Sequence, residues 1–135
     1  MKGILPDVDV IGQCIALVRI LNSPTWRTIW EELDPIVATF EDVGLATNAQ
    51  DVVVWRSCQT WQLVLVTGNR NLHADHSLEA TIRAYADRSS LPVITLADEK
   101  RILRDRDYAE LVAERMLDHL LNIDDYRGVG RLYVP

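Results

Sequence analysis

The 135-residue chain has no apolar run near the roughly 20 residues that cross a bilayer, so no membrane-spanning helix is expected. Its first residues lack a secretory pattern, because Asp7 and Asp9 interrupt the apolar start, and a cytoplasmic location is expected. Positive charge is scarce: 14 Lys and Arg stand against 20 Asp and Glu, a formal net charge of −6. That balance argues against a protein that coats nucleic acid non-specifically, which needs a surplus of cations against phosphate. It is compatible with a nuclease, whose bound divalent ions offset local negative charge. Only two cysteines occur, Cys14 and Cys58, each in an apolar stretch with no second Cys or nearby His at ligand spacing. They read as reduced core residues. No Gly-x-Gly-x-x-Gly follows the first apolar run, and the single glycine of VIGQC argues against a dinucleotide fingerprint. Repeats, linkers and low-complexity tracts are also missing. With 48% hydrophobic and 25% charged residues, one globular domain over residues 1–135 is expected.

What is present is an alternation of short apolar runs with helical periodicity. Lys2 to Leu5 reads as a buried strand stopped by Pro6, and Ile11, Cys14, Ile15, Val18 and Leu21 recur at helical spacing until Asn22-Ser23-Pro24. Thr25 is placed to cap a short second helix that ends at Asp34-Pro35, since the residue before proline is driven out of the helical region. Ile36 to Phe40 then reads as a second strand. The stretch from Ala49 to Trp61 carries both signals: Val52 to Trp55 have strand propensity, while Val54, Cys58 and Trp61 share a helical face. The next element decides for helix, because LVLVT at Leu63 to Thr67 is a buried strand and parallel neighbours need a crossover between them. A helix starting near Asp75 or Ser77, a strand from Leu91 to Leu96, a long C-terminal helix and an edge strand at Arg131 to Val134 complete the pattern. This predicts an α/β three-layer sandwich around a mostly parallel sheet of about four to five strands.

In such a sheet ligands bind beyond the carboxyl ends of the strands, at a switch in strand order. Those positions hold Asp7 and Asp9, then Glu41 and Asp42, then Asn69, Arg70, Asn71, His73, Asp75 and His76, then Asp98 and Glu99. Carboxylates gathered at one point repel one another unless a hard cation such as Mg²⁺ or Mn²⁺ holds them ionised. The bland alternative is that each acid solvates a loop or caps a helix, as Asp51 and Asp75 are placed to do. Arg70 is a candidate phosphate contact, with a solvated loop residue as its bland reading. His73, Asp75 and His76 also form a candidate transition-metal set, although no fourth ligand accompanies them. The four Trp residues sit at helical spacing with other apolar groups and read as core or interface.

This order, a strand ending at an acid, two helices, a strand, a helix opened by Asp and a strand ending in Thr-x-polar, resembles the PIN-like family of metal-dependent ribonucleases. More narrowly it is similar to a small uncharacterised branch of that family. The resemblance runs from Lys2 to about Leu96 and is carried by LPDVD, by Asp51 in NAQDVVVW and by LVTGNRN. It implies a PIN-like fold and RNA cleavage with Mg²⁺ or Mn²⁺, in proteins that often act in RNA processing or as toxins with an antitoxin partner. Carried over, Asp7 or Asp9 is the first metal ligand and Asp51 the second, while Asn69 and Asn71 occupy positions where acids are expected. Amide oxygens bring no charge, so Asp75, with Glu79 one turn later, is the residue expected to restore it. The catalytic set implied is therefore Asp7, Asp9, Asp51 and Asp75.

Two other readings compete. Asp7, Asp9, Asp51, Thr67 and Lys100 superficially match a response-regulator receiver, but a phospho-acceptor Asp must follow a strand and Asp51 precedes an expected helix. A non-catalytic PIN-like domain that binds a partner fits the two Asn positions and the acidic charge. In that case Leu117, Leu121 and the last strand edge are candidates for assembling a homodimer.

Overall fold

The computed structural model describes residues 1–69 and 72–135, the side chains of residues 72–76 excepted. Five strands form one sheet: β1 (Gly3–Pro6), β2 (Ile36–Val37), β3 (Leu63–Gly68), β4 (Val93–Leu96) and β5 (Arg131–Val134). Every pairing is parallel, in the order β2-β1-β3-β4-β5. The helices are α1 (Ile11–Leu21), α2 (Arg27–Leu33), α3 (Asp51–Trp61), α4 (Leu72–Tyr85), α5 (Glu99–Ile102) and α6 (Arg106–Leu121).

The inner strands β1, β3 and β4 are buried, largely apolar runs because both sheet faces are covered there. Ile4, Val64, Val66, Ile94, Leu96 and Val134 face a core completed by Cys14, Leu17 and Leu21 of α1, Trp30 of α2 and Val112, Met116 and Leu120 of α6. Leu5, Leu63, Leu65 and Val93 face the other core, with Val54, Trp55 and Cys58 of α3 and Leu78 of α4. The result is the three-layer α/β sandwich expected from the sequence. Cys14 and Cys58 are free and buried in opposite layers.

Local chemistry sets the element ends. Asp98 caps α5 by accepting from Arg101 N at 3.2 Å, and Asp105 caps α6 through Tyr108 N at 3.2 Å. The second strand is shorter than the expected Ile36 to Phe40, because Thr39 and Asp42 form a reciprocal turn: Thr39 N donates to Asp42 Oδ2 at 2.8 Å and Asp42 N to Thr39 Oγ1 at 3.2 Å. Strand β4 begins at Val93, after Pro92, which has no N–H to give a ladder. Helix α4 begins at Leu72, earlier than Asp75 or Ser77. The α2 N-cap is Trp26, so Thr25 does not hold the expected capping position. Trp30 and Trp55 are core residues, whereas Trp61 is 52% exposed. Leu117 is 2% exposed and packs in the core, which removes it from any surface of association; Leu121 remains exposed.

The side chain of Gln59 ties α3 to the segment that leads into β4. Its Nε2 donates to Leu91 O at 3.1 Å, and its Oε1 accepts from Leu91 N at 2.8 Å. No helix among the described residues is long and apolar enough to cross a membrane.

Candidate functional site

In this strand order the chain leaves β1 toward β2 on one side and leaves β3 toward β4 on the other, so the crevice between the ends of β1 and β3 is the switch point. Asp7 stands there. Its N–H extends the ladder to Val66 O at 2.8 Å, and the residue is only 8% exposed. Asp7 Oδ1 accepts from Val8 N at 2.7 Å, and Thr67 Oγ1 of β3 lies 3.5 Å from Asp7 Oδ2. A buried carboxylate is costly unless hydrogen-bonded, and these donors offset part of that cost.

Strand alternation decides which layer each group enters. Asp7 follows the parity of Leu5, and Thr67 that of Leu63 and Leu65, so both face α3 and α4. The Cys58 thiol of α3 registers this: burial first, and then the negative charge of Asp7, push it up to about 12. Helix α3 runs back from the rim toward the start of β3, which brings its first residue, Asp51, to the same rim on the same side. Asp51 is not the α3 cap; that position belongs to Gln50, which makes no side-chain cap bond. Asp51 lines a shallow groove of about 800 Å³ between α3 and α4, together with Ser77 and Thr81.

The other expected residues are placed as follows. Asp9 lies in the 3-10 turn Val8–Val10 and is exposed. Asn69 is exposed, and its Nδ2 donates to Ala97 O at 3.3 Å, linking the ends of β3 and β4. Arg70 and Asn71 lie outside the described residues, as do the side chains of His73, Asp75 and His76. The backbone of α4 nonetheless begins at the rim, and its second turn borders the Asp51 groove.

Two further contacts, one at the rim and one below it, are not legible in the sequence. A Cβ at Gly68 would overlap Glu99 Oε2, so the first residue of α5 folds its carboxylate onto the end of β3 beside Val10, on the α1 side of the sheet. Glu99 is visible in the sequence as an acid after a strand, and a glycine closing a strand marks a close approach. The second is a polar layer under α4. Thr67 and Thr95 are fully buried, Thr95 Oγ1 accepts from Arg131 Nη1 at 2.9 Å, and Arg131 Nε pairs with Glu79 Oε1 of α4 at 2.8 Å.

Asp7 and Asp51 offer hard carboxylate oxygens, the donor type that Mg²⁺ and Mn²⁺ take. No group of three His, Cys, Asp or Glu that could hold a metal ion occurs among the described residues. In donor type these two carboxylates fit Mg²⁺, whose sites commonly use one or two carboxylates and complete the shell with water and substrate phosphate. Comparisons of the chain with protein-family models, curated proteins and solved structures find no match.

Proposed function

We propose that this chain is a PIN-like, Mg²⁺- or Mn²⁺-dependent nuclease acting on RNA, with Asp7 and Asp51 as the metal-holding pair and Asp75 as their partner on α4. The observation that carries the reading is the position of Asp7: a carboxylate kept nearly buried at the β1–β3 switch point, where this sheet order opens its ligand crevice. A bound divalent ion supplies an activated water and offsets charge on the phosphate. The residues do the positioning. Val8 N–H and Thr67 orient the Asp7 carboxylate, and the first turn of α3 presents Asp51 over the groove. Asn69, Arg70 and Asn71, which follow β3 in the sequence, are proposed to meet the substrate or the ion. An antitoxin-like protein partner and a cytoplasmic setting go with the toxin-type reading of the family.

The test is RNA cleavage with Mn²⁺ by the wild type and by Asp7→Asn, Asp9→Asn and Asp51→Asn. Asp7→Asn and Asp51→Asn are expected to lose more than the roughly 10- to 100-fold that removal of an outer-shell partner costs, with Asp9→Asn close to wild type. Equal cleavage by all four proteins contradicts the proposal. A second reading, a PIN-like binding module without catalysis, is favoured by Asn69, whose amide is used to join two strand ends. Cation binding without cleavage of any RNA would select it.

A further inference from the structure

We propose that the open edge of β2, with the apolar groove between it and α1, binds a second copy of this chain in a two-fold antiparallel arrangement. The proposal is independent of the nuclease reading. Strand β2 is the sheet's edge, and both its residues are apolar and outward: Ile36 is 55% and Val37 41% exposed. Ile36 N and Ala38 N donate to Lys2 O and Ile4 O of β1, each at 3.0 Å. By alternation the N–H and C=O of Val37 point away from the sheet, the pair that a neighbouring strand takes up. Beside this edge lies a groove of about 490 Å³, floored by Cys14 and Phe40 and walled by Ile11, Ile15 and Val37. Ile11 and Ile15 are nearly half exposed on α1, one turn apart.

The charges at the two ends of the groove select the occupant. Its lining holds Arg19 and Glu41. Helix α1 runs back from the end of β1, so Arg19 lies toward the start of the strands, about two turns behind Ile11. Glu41 lies beyond the end of β2. A two-fold axis through Val37 reverses one copy against the other, and places Arg19 of each copy against Glu41 of its partner. A self-complementary patch of this kind is what an isologous interface requires: apolar centre, a backbone pair that bonds to itself, and opposite charges at opposite ends. A parallel two-fold pair would put the two α1 helices on opposite faces of the joined sheet, so the two grooves would not meet.

Sedimentation velocity across micromolar concentrations, with the intact chain, tests this. The wild type is expected to sediment as a dimer that dissociates on dilution, and Val37→Lys as a monomer with unchanged near-ultraviolet circular dichroism. Arg19→Glu and Glu41→Arg, each creating two like-charge contacts per dimer, should weaken association roughly tenfold or more, and the double variant Arg19→Glu/Glu41→Arg should recover it. A wild type that stays monomeric, a Val37→Lys protein that still dimerises, or a double variant no stronger than the single ones overturns the proposal.

Discussion

Thr67 Oγ1 lies 3.5 Å from Asp7 Oδ2 across the β1–β3 seam, so a fully buried hydroxyl of one strand addresses the nearly buried carboxylate at the end of the next. At that length the contact is weak in the fold as it stands. Thr67→Val, which keeps the shape and removes the hydroxyl, is expected to cost no more than about 1 kcal/mol in urea denaturation. Because the hydroxyl orients a proposed metal ligand, the same substitution should weaken Mn²⁺ binding measurably. Unaltered binding in a folded Thr67→Val protein removes Thr67 from the site.

Two glycines make opposite predictions. At Gly3 a Cβ would overlap the backbone carbonyl of Ile36, and a backbone cannot swing aside without breaking the β1–β2 pairing. At Gly68 the obstacle is the tip of the Glu99 side chain, which can rotate away. Gly3→Ala is therefore expected to cost about 2 kcal/mol or more, and Gly68→Ala under about 1 kcal/mol, in chemical denaturation. The second protein should show its altered resonances at Glu99 and Val10 by NMR.

Both thiols are pushed up to about 12 from an ordinary 9.0 by burial. Since the folded value is the raised one, the stabilisation is complete below pH 9 and fades between pH 9 and about 12, where the unfolded chain ionises and the folded chain does not. Each thiol then contributes a loss of about 1.4 kcal/mol per pH unit. The native protein should resist thiol reagents at pH 8, and Cys14→Ala/Cys58→Ala should show a shallower fall of stability above pH 9 than the wild type.

The Arg131–Glu79 pair holds the last strand to α4, with the Arg131 side chain only 7% exposed and that of Glu79 37% exposed. Loss of the Glu79 charge leaves a buried guanidinium with less compensation. Glu79→Gln is expected to cost on the order of 2 kcal/mol, short of the 3–5 kcal/mol of a wholly buried pair because one partner keeps some water. Hydrogen exchange of the β5 amides should quicken in the same variant. An unchanged midpoint and unchanged β5 protection contradict this account of the pair.

The layers of the fold were legible because their signals are strong and local. LVLVT and the helical face of Val54 and Cys58 fix β3 and α3, and the helix at residues 51–61 also disposes of the receiver reading, since Asp51 precedes it. Strand β2 was read too long because the Thr39–Asp42 turn depends on two side chains meeting, not on propensity. Helix α5 was not separated from its surroundings, being four residues long with a cap as its main signal. At the site, sequence order brought Asp7 and Asp51 to one rim, but which layer each enters follows from the pleat. Asp9, two residues on, lies in the 3-10 turn Val8–Val10 and not on a strand, so the alternation that places Asp7 does not reach it, while the fold of Glu99 onto β3 and the Arg131–Glu79 pair emerge only in three dimensions.

The proposed nuclease would hold a divalent cation among Asp7, Asp51 and the start of α4. Titration of ¹⁵N-labelled protein with Mn²⁺, read as paramagnetic broadening of backbone amides, tests it directly. Early, saturable loss of the Val8, Val52 and Thr67 signals is expected, with the α6 and β5 signals intact, and no such loss in Asp7→Asn/Asp51→Asn. Broadening that is absent, or spread evenly over the acidic surface in both proteins, contradicts it.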